Sequence, residues 1–298
     1  MITAYFHKPE HRGQMLHELP LAEALDLQLL LTKNQETQFP VFAQDIWPNC
    51  EIVTITSIND ASKILKAKKL RWFHYPLNAA GRGKLIAQTL GKPEAPPFKF
   101  PITYNNRFNF GIFTLLSDNE MLVCVEPWKK VPLGQYDFVE DKSNPPNRAY
   151  LKLWEALCIL NQYPSDNDTC IDLGASPGGW TWVLAHNGAK VIAVDKSELA
   201  PNVAQLNTVT YLQDSAFALD PKKFSNIQWL VCDVICYPER SLKLINTWLD
   251  AGLKHLICTI KLQGEEDWDT IRALKAIPGA QLIHLYQNKH ELTFIRSC

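Results

Sequence analysis

The sequence has no run approaching the roughly 18 uninterrupted apolar residues that a membrane-spanning helix needs, which argues against a helical membrane protein. It has no Cys-x-x-Cys pair either. Its eight cysteines, at positions 50, 124, 158, 170, 232, 236, 258 and 298, mostly sit in apolar runs such as Leu-Val-Cys124-Val and Leu-Ile-Cys258-Thr-Ile. Neither a zinc site nor a redox pair is favoured, no metal is expected, and buried free thiols in a reducing compartment are the better reading. Net charge is nearly absent: 30 basic residues against 31 acidic ones give −1, which taken whole singles out no anionic partner. The start, Met1-Ile-Thr-Ala-Tyr-Phe6, lacks the basic and apolar blocks of a secretory signal and reads as a strand, so a cytoplasmic protein is expected. Internal repeats and low-complexity tracts are missing too.

What remains is an ordinary globular composition, 46% hydrophobic and 20% charged over 298 residues, enough chain for about two domains. Proline marks the seams. Four prolines crowd Lys92–Pro101, too many for a helix or inner strand, and Asp141–Asn147 holds Pro145 and Pro146 before a helix-capping asparagine. Residues 1–104 read as a small α+β domain, with strands at 2–6, 41–43, 51–55 and 70–75 and helices at 19–32, 59–69 and 82–90. Residues 105–147 read as a β-hairpin and linker, and 148–298 as the larger domain. Charge is unevenly spread in the first part: Ala61–Arg107 holds ten basic residues and one acid, Glu94. Arg71 and Trp72 lie there in Leu-Arg-Trp-Phe-His-Tyr, the interleaving of cation and aromatic that phosphate contact plus base stacking needs.

After Asn147, apolar β-rich runs at 169–173, 190–194, 209–212, 229–233 and 255–261 alternate with helical segments, the arrangement of a parallel α/β sheet. The last two runs, 281–287 and 290–296, are separated by too little chain for a helical crossover, so the final strand must return antiparallel. Between the first run and its helix lies Asp172-Leu-Gly174-Ala-Ser176-Pro177-Gly178-Gly179-Trp180. A strand, a glycine-rich turn and a helix start are where doubly wound folds hold a nucleotide-like ligand. Pro177 removes an N–H where a pyrophosphate would want one, and no Gly-Lys-Ser/Thr follows, so a P-loop is excluded. Asp195 ends the next strand, placed to accept hydrogen bonds from ribose hydroxyls, and Asp214 follows the third strand, placed to accept from an adenine amino group.

These residues resemble the FtsJ-like S-adenosylmethionine-dependent RNA 2′-O-methyltransferases. The likeness extends through "PPNRAYLKLWEAL", "DLGASPGGWTWVLAHNGAKVIAVD", "SNIQWLVCDVICYPER", "TIKLQ" and "LYQNKHELTFIR", over about residues 105–298. It implies a Rossmann-like, seven-stranded methyltransferase sheet with an antiparallel last strand, S-adenosylmethionine as cofactor, and an RNA partner: 23S ribosomal RNA, with transfer RNA as the alternative. A non-catalytic cofactor- and RNA-binding assembly factor is the competing class. The Ser-Arg that precedes the entry helix in the family is here Asn147-Arg148, with Arg148 a substrate contact. Residues 1–104 would be a reduced THUMP-like, RNA-gripping fold.

The resemblance further implies a catalytic tetrad of Lys152, Asp233, Lys261 and Glu291. Asp233 and Lys261 end two parallel strands and Glu291 opens the last antiparallel one, so convergence on one rim of the sheet follows from the pattern. Methyl transfer to a ribose hydroxyl is an in-line displacement in which positioning does most of the work. In the expected roles, Lys261 takes the 2′-hydroxyl proton, Lys152 lowers its pKa and holds the substrate oxygen, Asp233 orients Lys261 and faces the sulfonium, as a cofactor residue too, and Glu291 fixes the lysines.

Overall fold

The computed structural model describes residues 1–224, 226–264 and 266–297. Contacts divide the chain into two units, residues 1–137 and 138–298. The first contains β1 (Ile2–His7), α1 (Arg12–Glu18), β2 (Glu23–Ala24), β3 (Leu29–Lys33), β4 (Ala43–Trp47), β5 (Glu51–Thr54), α2 (Ile58–Ala67), β6 (Arg71–His74), α3 (Ala80–Gln88), β7 (Phe110–Leu115) and β8 (Glu120–Cys124). They form two four-stranded sheets, in the orders β2-β3-β1-β4 and β5-β8-β7-β6. Side-chain alternation along β7 and β8 explains why nearly every residue there is buried. Phe110, Ile112, Leu122 and Cys124 pack with Ala4, Phe6, Leu31 and Trp47. Phe113, Leu115, Met121 and Val123 pack on the other side against Ala61 and Leu65 of α2 and Ile86 of α3.

Three expectations fail in this unit. The helix over 19–32 is instead the β2–β3 hairpin, because Asp26 Oδ1 accepts the backbone N–H groups of Gln28 and Leu29, each at 2.7 Å, and closes a turn. Leu29, Leu30 and Leu31 are all buried, and a strand buried on both faces lacks the alternation that marks a strand in sequence. The hairpin of the 105–147 segment is not a connector: β7 and β8 are the two central strands of the second sheet, β7 pairing parallel with β6 and β8 antiparallel with β5. Trp72 is no stacking platform either. It is 2% exposed, its indole N–H donates to the Leu65 carbonyl at 3.0 Å, and its ring lies edge-on to Phe113. Arg71 is half-buried and donates to the Lys92 carbonyl at 3.0 Å.

The second unit contains α4 (Tyr150–Leu160), β9 (Thr169–Leu173), α5 (Gly179–His186), β10 (Lys190–Asp195), α6 (Pro201–Ala204), β11 (Val209–Gln213), β12 (Trp229–Cys232), α7 (Pro238–Asp250), β13 (His255–Lys261), α8 (Trp268–Lys275), β14 (Ala280–Ile283) and β15 (Glu291–Arg296). The seven strands run in the order β11-β10-β9-β12-β13-β15-β14. β15 is antiparallel to both neighbours, whereas β9 to β13 pair parallel. The crossovers change side between β9 and β12, which opens a crevice at the carboxyl ends of those strands. The final strand pair is joined by the longer segment 284–290, since β14 ends at Ile283.

Among the described residues, no helix is long and apolar enough to cross a membrane, and no three His, Cys, Asp or Glu side chains stand together as metal ligands. The seven described cysteines are buried and free; Cys298 lies outside the described residues.

Candidate active site

Four charged side chains meet at the end of the second sheet. Asp233 follows β12 directly, held by its N–H to the Leu173 carbonyl. Thr259 and Lys261, two apart and so on one face of β13, both reach it: Thr259 Oγ1 donates to Oδ1 at 2.7 Å and Lys261 Nζ at 2.5 Å. Lys261 stands directly opposite Glu291 in the antiparallel register and donates to its carboxylate. Lys152, from α4, completes the set at 2.7 Å from Asp233 Oδ2 and 3.0 Å from Glu291 Oε1. Each carboxylate therefore bridges both ammonium groups. All four side chains are 10–16% exposed, so the charges are shielded from water and persist because they are paired.

The electrostatics correct one expected role. Burial alone would lower the pKa of Lys261, but the carboxylates of Asp233 and Glu291 outweigh it and hold the ammonium above its ordinary 10.5. Lys152 therefore does not make Lys261 a weakly held proton carrier in this arrangement. For Asp233, burial pushes upward and the two lysines pull harder downward, leaving the carboxyl below its ordinary value.

Beside the tetrad lies a cleft of about 380 Å³ whose walls include Gly174, Asp195, Asp214, Phe217, Val234 and Arg240, a size suited to a small-molecule ligand. Of the residues expected at the cofactor, Gly174, Asp195 and Asp214 line it directly. Gly174 adopts φ +76°, and a Cβ there would come within 2.5 Å of Val234 Cγ2, so only glycine lets the loop pass this close to the segment after Asp233. Asp195 clamps the turn: Oδ2 accepts the Ser176 N–H at 3.0 Å and Oδ1 the Ser197 N–H at 2.9 Å. Ser176 Oγ donates to the Glu198 carbonyl, and the Pro177 carbonyl accepts from Ala200. Gly178, at φ +115°, lies against Val203. Asp214 Oδ1 accepts the Ser215 N–H at 2.6 Å.

Gly179 and Trp180 tie the loop to α4 instead. A Cβ on Gly179 would lie 2.2 Å from Asn147 Oδ1, the atom that caps the Ala149 N–H. The Trp180 indole donates to the Ala149 carbonyl at 2.8 Å, and its ring lies 6.0 Å from Lys152 Nζ. These two residues thus set the helix that delivers Lys152. Arg148, by contrast, is 73% exposed and forks onto Glu140.

Asp172 is fully buried. Thr181 Oγ1 donates to its Oδ2 at 2.6 Å, while Oδ1 has no hydrogen-bond partner. Burial first, then the charges of Asp233 and Asp195, push its carboxyl up to about 7. The cleft wall sets the carboxylates of Asp195 and Asp214 beside the cations Lys196 and Arg240, a mixed lining that suits a ligand carrying hydroxyl and amino donors.

One anchoring residue was not expected from the sequence. Glu155, on α4 one turn beyond Lys152, is 0% exposed and accepts the N–H groups of Tyr286 at 2.8 Å and Gln287 at 2.9 Å. The helix bearing Lys152 therefore also grips the segment leading into Glu291.

The FtsJ-like methyltransferase family profile matches residues 145–279, which include three of the four tetrad residues. A ribosomal RNA large subunit methyltransferase M from Histophilus somni is 32% identical over 269 residues, 84% of this chain and 70% of that one. The chain belongs to the ribosomal RNA large subunit methyltransferase M family. Members from Halorhodospira halophila and Aromatoleum aromaticum are 36% and 31% identical, over 46% and 44% of their own lengths and 50% and 49% of this chain. The match thus spans less than half of those two relatives. Among solved structures, a fibrillarin pre-rRNA processing protein from Methanococcus jannaschii aligns at 16% identity over 60% of this chain and 79% of its own, with a TM-score of 0.38.

Proposed function

We propose that this chain is an S-adenosylmethionine-dependent RNA methyltransferase that methylates a ribose 2′-hydroxyl, in a cytidine of 23S ribosomal RNA, in the cytoplasm. The observation that carries the reading is the closed Lys152–Asp233–Lys261–Glu291 tetrad beside an acceptor-lined cleft. The names of the family members support large-subunit RNA as the substrate.

S-adenosylmethionine fits the cleft by its donor set and would supply a methyl group activated by a sulfonium. Asp195 and Asp214 would hold the ribose and adenine ends, and Asp233 would present negative charge to a cationic donor. Lys152 holds the substrate oxygen. Lys261 remains the group that receives the hydroxyl proton, but it rests as an ammonium and must first release a proton of its own to solvent, through the part of its side chain that stays exposed. Two counter-charges and two hydrogen-bonded lysines fix the oxygen for in-line attack, the positioning that dominates such a transfer. The basic residues of 61–107 would grip RNA.

The test is transfer of a labelled methyl group from S-adenosylmethionine to total RNA from a strain lacking the gene, followed by nucleoside analysis. The expected product is 2′-O-methylcytidine in large-subunit RNA, absent with Lys261→Ala. Cofactor binding with no labelled RNA, or full transfer by Lys261→Ala, overturns the reading.

A further inference from the structure

Between Asp233 and α7 the chain alternates in and out. Cys236 is buried, with its Sγ 3.1 Å from Ser241 Oγ, and Pro238 is buried as well. Ile235 and Tyr237 point outward, 81% and 67% exposed. The segment is anchored at both ends: Asp233 N–H meets the Leu173 carbonyl, and the Tyr237 carbonyl accepts from the N–H groups of Arg240 and Ser241 at 3.0 and 3.3 Å. An isoleucine and a tyrosine are thus held in solvent on fixed backbone. Of the three large hydrophobic side chains exposed among the described residues of this unit, Val139, Ile235 and Tyr237, two fall within four residues of Asp233.

Resting on the function proposed above, we propose that Ile235 and Tyr237 form the platform on which a base of the substrate RNA strand stacks while its ribose, or that of a neighbouring nucleotide, meets the tetrad. The tetrad itself is wholly charged and offers nothing to the face of a base. A methyltransferase acting on one ribose must nevertheless fix that nucleoside, and aromatic faces do so irrespective of which base is present. Four extended residues span at most about 14 Å, so Tyr237 lies within reach of the same nucleotide or the next. Ile235 and the Arg240 side chain also border the cofactor cleft, so the platform is continuous with the site. One turn along α7, the Arg240 guanidinium sits 3.7 Å from the Phe217 ring, a cation held in place where a strand carrying phosphates would pass.

The test measures steady-state methyl transfer to a large-subunit RNA transcript by wild type, Tyr237→Ala, Tyr237→Phe and Ile235→Ser, with S-adenosylmethionine binding measured separately. Loss of one stacking face should raise the KM for RNA roughly 5- to 100-fold in Tyr237→Ala. Ile235→Ser should raise it less, and Tyr237→Phe should stay near wild type. Cofactor affinity and kcat should hold in both Tyr237 variants, since Tyr237 does not line the cofactor cleft. An active Tyr237→Ala protein with unchanged KM overturns the platform, as does Tyr237→Phe behaving like Tyr237→Ala, because then the hydroxyl and not the ring face matters. A wild-type chain that transfers no methyl to RNA overturns instead the function on which the platform rests.

Discussion

Replacing Glu155 by glutamine keeps the shape of the side chain and removes its charge. In the structure, the two carboxylate oxygens each take one backbone N–H, from Tyr286 and Gln287, in a fully buried setting. A glutamine supplies one acceptor oxygen and one N–H₂, so one of the two amides faces a donor. Losing a charge-assisted hydrogen bond of this kind costs about 1.5–3 kcal/mol. In a domain of this size each kcal/mol moves Tm by about 2–4 °C, so the second unit of Glu155→Gln should melt roughly 3–12 °C lower. Catalysis should suffer separately. The loosened segment 284–290 leads directly into Glu291, which holds both tetrad lysines, so kcat should fall while the KM for RNA and the affinity for S-adenosylmethionine stay near wild type. Far-UV melting and single-turnover methyl transfer, both well below the lowered Tm, separate the two effects. A variant with unchanged Tm and unchanged kcat would refute the anchoring role, and a lowered Tm with unchanged kcat would leave Glu155 a structural residue only.

The raised pKa of Lys261 predicts a rate limited by its neutral fraction, so log kcat should climb with a slope near one from about pH 7 to 10; a plateau below pH 9 would contradict it. Asp172, whose folded pKa of about 7 exceeds its ordinary 3.8, stabilises the fold fully below pH 4 and loses that contribution as pH rises towards 7, a difference of up to about 4 kcal/mol. Asp172→Asn should lack this loss, so the Tm of wild type minus that of the variant should shrink or change sign between pH 4 and 8. A constant difference would show that Asp172 does not titrate in that range.

How much of this was readable beforehand depends on which signals are local. The strand, glycine turn and helix of 169–186 announce themselves because each feature has its own residue requirement, and Gly174 satisfies one that the structure makes explicit through Val234. The meeting of Lys261 and Glu291 follows from a hairpin-like return of the last strand, even though the connecting segment is longer than expected. The β2–β3 hairpin is hidden because burial on both faces erases alternation, and the aromatics of β6 resemble a stacking surface because the strand packs on both sides, Trp72 in one hydrophobic cluster and Phe73 against the other. Glu155 left a faint trace: a lone carboxylate among Leu151, Trp154 and Cys158, all buried on α4, is costly unless something pairs with it.

The charge state of Lys261 was the least accessible property, for a reason that belongs to the fold and not to any motif. A second lysine nearby lowers a lysine pKa and a carboxylate raises it. The sequence places two of each in the tetrad without saying which distances are shortest. Only the geometry, with both carboxylates in direct contact with Lys261, decides the sign. It also explains why the tetrad can stay buried at all: four charges that sum to zero and bridge one another avoid the desolvation penalty that an isolated lysine poised as a base would incur. The resting tetrad is thus a closed set of paired charges, and under the proposed mechanism any proton acceptance by Lys261 must follow from a rise in pH or the arrival of further positive charge.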